Sequence, residues 1–167
     1  MHEMTKQNLK NAFAGESRAY MKYMIFADKA EKEGRLNMAR LFRAIAYAER
    51  VHATGHLKAL GAIGDTTANL QTAIDGETFE CTEMYPVYNE DAKFQGEKAA
   101  ERSTHFALEA EKIHAEMYAA AKTKAAEGKD IELKDVHICP VCGHTVEGEA
   151  PDNCPICGVK KEMYKKF

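Results

Sequence analysis

The sequence predicts a mainly α protein, a four-helix bundle followed by a small β and cysteine-knuckle module. Three observations carry this. Residues 4–127 are rich in Ala, Glu, Lys, Met and Leu, with apolar residues at helical spacing. The first half of that stretch is repeated in its second half. Four of the five cysteines fall between 139 and 157, in a segment that holds three of the four prolines.

Taken in order, Gly34, Gly61, Gly64, Gly96 and Gly128 punctuate the helical region at helix-length intervals. Helices are expected over roughly 5–33, 36–61, 67–95 and 97–127. Leu9, Ala12, Phe13, Tyr20, Tyr23 and Ala27, then Met38, Phe42, Ile45, Ala53 and Leu60, mark the expected core faces. Short loops between antiparallel neighbours make a bundle of four. The helical pattern stops after Gly128, which puts a domain boundary at 134/135: a bundle over 1–134 and a metal-dependent module over 135–167.

The repeat aligns TKQNLKNAFAGE at 5–16 with TTANLQTAIDGE at 66–77, an offset of 61. It continues as AERVHA at 48–53 against AEKIHA at 110–115, an offset of 62. One extra residue has therefore entered the second copy. Glu16 precedes Tyr23 by 7 positions and Glu77 precedes Tyr85 by 8, which places the insertion between 77 and 85, just before Pro86. Proline inside a helix removes a donor and clashes with the preceding turn. An inserted residue there is absorbed as a π-bulge or kink, so an irregular helix is expected around 78–86.

Glu16, Glu49, Glu77 and Glu111 occupy matching positions on the apolar stripes. Two of them open Glu49-x-x-His52 and Glu111-x-x-His114. An i, i+3 pair shares one helix face, so both side chains can reach the same ion. Unpaired carboxylates inside a bundle are costly or neutralise, and cations remove that penalty. One Glu on each of two helices plus Glu-x-x-His on the other two is the ligand set of ferritin-like di-iron bundles. Carboxylate and imidazole suit iron or manganese, and the lack of thiolates in this set disfavours structural zinc.

Glu80 breaks the symmetry, because the first copy has Ala19 in its place. It is a surplus carboxylate near the metal layer. Glu83 reads as an exposed or outer acid, and His56 as a packing residue. Tyr23 and Tyr85 read as core aromatics whose hydroxyls can bond the ligand carboxylates. Cys81 reads as a buried small hydrophobe.

Cys139-Pro-Val-Cys142-Gly, ten residues, then Cys154-Pro-Ile-Cys157-Gly is a double CxxC knuckle. Four thiolates at this spacing close a tetrahedral site for iron or zinc. Paired CxxC motifs in a reducing compartment favour metal over disulfides. So short a segment also needs its metal in order to fold. The knuckle alone does not separate a zinc ribbon from a one-iron site. A neighbouring di-iron bundle that changes oxidation state needs an electron supply, and that favours iron.

The order Gly-Glu, Glu-x-x-His, Gly-Glu-x-x-Glu, Glu-x-x-His, then CPVCG…CPICG resembles the rubrerythrin family over essentially the whole chain. The resemblance implies a ferritin-like bundle with a rubredoxin-like C-terminal domain. It implies two irons on Glu16, Glu49, His52, Glu77, Glu80, Glu111 and His114, oxo- or hydroxo-bridged when oxidised. A third iron would sit on Cys139, Cys142, Cys154 and Cys157, where zinc can enter recombinant material. It further implies a peroxidase that reduces hydrogen peroxide to water in defence against oxidative stress, in which Glu80 replaces His52 on one iron upon oxidation. His52, Glu80, Tyr23 and Tyr85 are then the candidate catalytic residues. Five glutamates carry one negative charge more than two ferrous ions supply and one fewer than two ferric ions, so a surplus carboxylate suits the oxidised state.

The same resemblance implies a homo-oligomer, with a dimer and an exchange of helices between subunits among its forms. A ferritin-like ferroxidase with a structural zinc-ribbon tail is the alternative reading, and it leaves the rubredoxin-like module without a role. No glycine-rich dinucleotide motif is present, so electrons are expected from a rubredoxin or a separate NAD(P)H-dependent reductase. The net charge of −3 gives no basic surplus for nucleic acid, and no apolar run is long enough to span a membrane. The first residues lack the charged-then-apolar pattern of a secretion signal, so a cytoplasmic protein is expected.

Overall fold

The computed structural model describes the whole chain, Met1–Phe167. Its residues form two compact units, Met1–Gly64 and Asp65–Phe167.

The first unit is a helical hairpin of α1 (Glu3–Lys32) and α2 (Leu36–Ala59). Gly34 turns the chain with φ +76°, a conformation that a side chain would oppose. This lets Gly34 N–H reach the Glu31 carbonyl and Arg35 N–H the Ala30 carbonyl, which closes α1. Arg43 of α2 ties the helices together at their surface, donating to Asp28 at 3.1 Å and to Glu31. The seam itself is alanine: Ala27, Ala30, Ala39, Ala46 and Ala53 are all buried. Ala27 and Ala53 were expected there, whereas Met38 and Ile45 are exposed, together with Phe26 and Leu41. A pair of helices has a single seam, and an apolar stripe wide enough for a bundle extends beyond it.

The second unit begins at Asp65, whose carboxylate accepts from Ala68 N–H at 2.8 Å and caps α3 (Thr66–Phe79). The chain then widens into a π-turn over Glu80–Met84 before resuming as α4 (Tyr85–Phe94). The irregularity falls inside the stretch where the inserted residue placed it. Pro86 stands in the first turn of α4, where its missing N–H is tolerated. The helix expected over 67–95 is thus two α segments joined by the π-turn. Buried Asn89 fastens α4 to α5 (Lys98–Ala126), donating to the Glu101 carbonyl at 2.7 Å and to Thr104 Oγ1 at 2.9 Å.

After α5 come three short strands, β1 (Val136–Ile138), β2 (Thr145–Glu147) and β3 (Lys165–Lys166), in the antiparallel order β2-β1-β3. Val136 pairs with Glu147 and His137 with Lys166. A 3₁₀ turn at Lys161–Met163 leads into the last strand. So little sheet cannot hold a core, and the buried centre of this region is Cys139, Cys142 and Cys154, flanked by Ile156, Val159, Tyr164 and Phe106 of α5. No helix in the chain is long and apolar enough to cross a membrane.

Candidate metal centre

Three clusters of metal-ligating side chains form, each within one unit. In the hairpin, ligand atoms of Glu16, Glu49 and His52 lie within 4.8 Å of one another. In the second unit, Glu77, Glu111 and His114 do the same. Cys139, Cys142, Cys154 and Cys157 make the third cluster on the same criterion.

The two acidic clusters are copies in composition but not in surroundings. His52 Nδ1 lies 3.1 Å from Glu49 Oε2, and the His52 side chain is 56% exposed. His114 Nδ1 approaches Glu111 Oε2 at 2.6 Å and Glu77 Oε2 at 3.9 Å, on a side chain only 27% exposed. Its other nitrogen, Nε2, lies 2.8 Å from Thr145 Oγ1 of β2. The α5 triad is therefore held at both ends of its imidazole.

Charge accumulates around this triad. Burial, then the hydrogen bond and charge of Glu111, then the charge of Glu80, push the Glu77 carboxyl up to about 7. Burial and Glu111 likewise raise Glu80, opposed by His114. Carboxyls raised by burial and by one another's charge are what a divalent cation would relieve, so this donor set fits a metal of the hard, oxygen- and imidazole-binding kind. Tyr85 is raised by burial and by the charges of Glu80, Glu111 and Glu77, so its hydroxyl keeps its proton. Tyr23 takes a different place, stacking with Phe26 and Phe42 at centroid distances of 6.5 and 6.3 Å. Glu83 is exposed, and Cys81 is half-buried rather than buried, its Sγ directed at the Thr78 carbonyl at 3.5 Å.

The thiol cluster fits a tetrahedral metal. Cys139 and Cys157 sulfurs stand 3.5 Å apart and Cys142 and Cys154 sulfurs 3.4 Å apart. Four sulfurs about 2.3 Å from a central ion would be separated by roughly 3.8 Å, so little adjustment admits one. Gly143 at φ +81° and Gly158 at φ +77° follow the two knuckles, where backbone N–H groups turn back toward the first cysteines: Gly143 to Cys139 O and Gly158 to Cys154 O. Although burial opposes it, the Tyr164 hydroxyl and the N–H groups of Cys157 and Ile156 bring the Cys154 thiol down to about 6. Burial pushes Cys142 upward. Tyr164 also meets His144 Nδ1 at 2.8 Å, so this residue, unmarked by the CxxC spacing, organises one end of the knuckle. Thr145 is likewise invisible to motif reading, because it meets His114 across 31 residues of sequence.

A carboxylate–histidine helical protein with a four-cysteine knuckle is a ferritin-like metal protein joined to a rubredoxin-like module. Residues 7–122 match the rubrerythrin family and residues 137–165 match its rubredoxin-like domain. Rubrerythrin-2 of Clostridium acetobutylicum is 47% identical over 98% of this chain and 97% of its own length. Nigerythrin of Nitratidesulfovibrio vulgaris is 34% identical over 98% of this chain and 86% of its own. Among solved structures, the partially reduced state of nigerythrin matches with a TM-score of 0.58 at 32% identity, covering 98% of this chain and 86% of that one. The chain belongs to the rubrerythrin family.

Proposed function

We propose that this protein is a non-haem di-iron peroxidase that reduces hydrogen peroxide to water, with electrons relayed through an iron held by Cys139, Cys142, Cys154 and Cys157. In this reading Glu16, Glu49, His52, Glu77, Glu80, Glu111 and His114 hold two irons. Residues 1–134 form the di-iron part and 135–167 the one-iron part. The observation that carries it is the pairing of two Glu–Glu–His triads with a four-thiol cluster on one chain.

Iron held by the carboxylate and histidine ligands would supply the two electrons that reduce peroxide, and iron held by the four cysteines would supply electrons one at a time. The protein's own groups supply position and protons. Glu77, raised by burial first and then by Glu111 and Glu80, would give up its proton in order to hold a cation. Glu80 lies in the field of both Glu111 and His114, where its carboxylate can enter or leave the metal layer. Tyr85 Oη retains a proton at neutral pH and can donate it to an oxygen leaving that layer. Two protons and two electrons convert one peroxide into two waters.

The reading includes a homo-oligomer, most simply a dimer and open to helix exchange, because one helical unit carries three of the seven ligands and the other carries four. The electron donor is a rubredoxin or a separate NAD(P)H-dependent reductase, and the protein works in the cytoplasm. The test is anaerobic stopped-flow oxidation of the fully reduced, iron-loaded protein by peroxide and, separately, by O2. Faster oxidation by peroxide is expected, and preference for O2 would favour a ferroxidase. Glu80→Ala is expected to slow peroxide turnover on the order of 10- to 100-fold while both irons still bind. A red ferric-thiolate colour distinguishes iron from zinc at the knuckle.

A further inference from the structure

The rubredoxin-like knuckle and the α5 triad touch in the second unit, along one stripe of the helix. Phe106 packs against the cysteine cluster. Four residues on, the Cβ of Ala110 lies 3.5 Å from where a Cβ on Gly143 would stand, and Ala110 is buried. Four further on is His114, whose Nε2 lies 2.8 Å from Thr145 Oγ1. Residues spaced by four share a helix face, so the three contacts form a continuous docking line.

The proton count at Thr145 is the informative part. Its hydroxyl, on a residue 6% exposed, donates to the Gly143 carbonyl at 3.0 Å. A hydroxyl has one proton and two lone pairs. With the proton committed to Gly143, the contact with His114 can only be acceptance, so Nε2 must carry a hydrogen. Without a cation, the 2.6 Å contact of Nδ1 with Glu111 Oε2 needs a proton shared between them; with a cation in that proton's place, a ring whose other hydrogen is held on Nε2 offers the Nδ1 lone pair to it. We propose that Thr145 is a positioning residue for the metal site: from the rubredoxin-like domain it fixes the tautomer and ring orientation of His114, presenting Nδ1 as a ligand. His52, the repeat counterpart, meets Glu49 through Nδ1 and has no hydrogen-bond partner at Nε2. The two Glu-x-x-His pairs are therefore unequal: one histidine is held at both ring nitrogens, the other through Nδ1 alone.

This inference rests on the reading of His114 as an iron ligand, and one experiment separates the two. Wild type, Thr145→Val and Thr145→Ser are loaded with iron, counted for metal, and challenged with a ferrous chelator. Absorption of the ferric-thiolate centre monitors the knuckle. Long-range ¹H–¹⁵N spectra of the zinc-loaded wild type report the His114 tautomer. Expected are hydrogen on Nε2 with metal on Nδ1, and chelator release from the carboxylate site about 10- to 100-fold faster in Thr145→Val. Thr145→Ser should restore slow release, and the knuckle absorption should stay unchanged. Wild-type release by Thr145→Val, or Thr145→Ser as leaky as Thr145→Val, would overturn the inference. A bare Nε2 in wild type would do so whatever the variants' stability. A wild type that loads only the cysteine site would instead overturn the di-iron reading, and this one with it.

Discussion

Glu77 shows how one side chain can link metal binding to stability. Its carboxyl is lifted from the ordinary 4.5 to about 7 in the folded, metal-free chain. The folded state thus holds a proton that the unfolded state releases, and the linkage sign follows. The contribution is fully present below about 4.5 and is lost as pH rises to about 7. Metal-free protein is therefore expected to melt at progressively lower temperature across that interval, with Glu80 adding in the same direction. Glu77→Gln should flatten the dependence, and calorimetry of both proteins from pH 4.5 to 7.5, a range set around about 4.5 and about 7, checks it. An undiminished slope in Glu77→Gln would assign the effect elsewhere. At this scale the side chains that cluster were readable from spacing, since Glu-x-x-His and CxxC are local patterns. Tyr164 and Thr145 were not, because their contacts join residues that chain proximity does not relate.

At the scale of the element, the π-turn at Glu80–Met84 was legible because the repeat supplied an internal reference. With Tyr23 matched to Tyr85, the offset changes from 61 to 62 inside the helix, where one extra residue is absorbed by widening a turn or kinking the helix. π-turns have poorer hydrogen-bond geometry than the α-helix and persist mainly where they position something. Deleting Cys81 restores the spacing of the first copy and should allow one continuous helix from Thr66 to Phe94. Because Pro86 would then stand inside the helix, the expected outcome is retained helicity by circular dichroism with a melting temperature below wild type. Peroxide turnover is expected to fall to the Glu80→Ala level. Wild-type turnover in the deletion variant would mean that the bulge serves only to accommodate Pro86. The alanine seam of the hairpin was only partly legible: the stripe gave the face, but which of its residues lie between two helices depends on how wide a partner surface each helix meets.

For the whole molecule, division by ligand chemistry and division by packing differ. The ligand types change character near residue 134, while the compact units part at Gly64. Sequence composition registers the first, because thiolates and strands replace helix formers. It is blind to the second, which depends on which helices share a seam. The knuckle's metal should have a role separable from that of the carboxylate site. Replacing the knuckle's iron with zinc, which keeps the fold but has no second oxidation state, is expected to leave a single peroxide reaction of chemically pre-reduced protein near wild type, while steady-state turnover falls on the order of tenfold or more. Stopped-flow and steady-state assays on the same preparation distinguish these. Equal loss in both would place the knuckle within the peroxide step itself.

The docking line of Phe106, Ala110 and His114 also bears on the order of the reaction in time. Two redox sites on separate molecules meet by diffusion, and their exchange slows in proportion as they are diluted. Here the knuckle is tethered to the face of α5 that carries one triad, so its local concentration is set by the fold and not by the cell. Under the proposed redox role, electron transfer between these two clusters is first order in protein. A scarce enzyme would then complete its internal step as quickly as an abundant one, leaving only the external donor's encounter to depend on concentration.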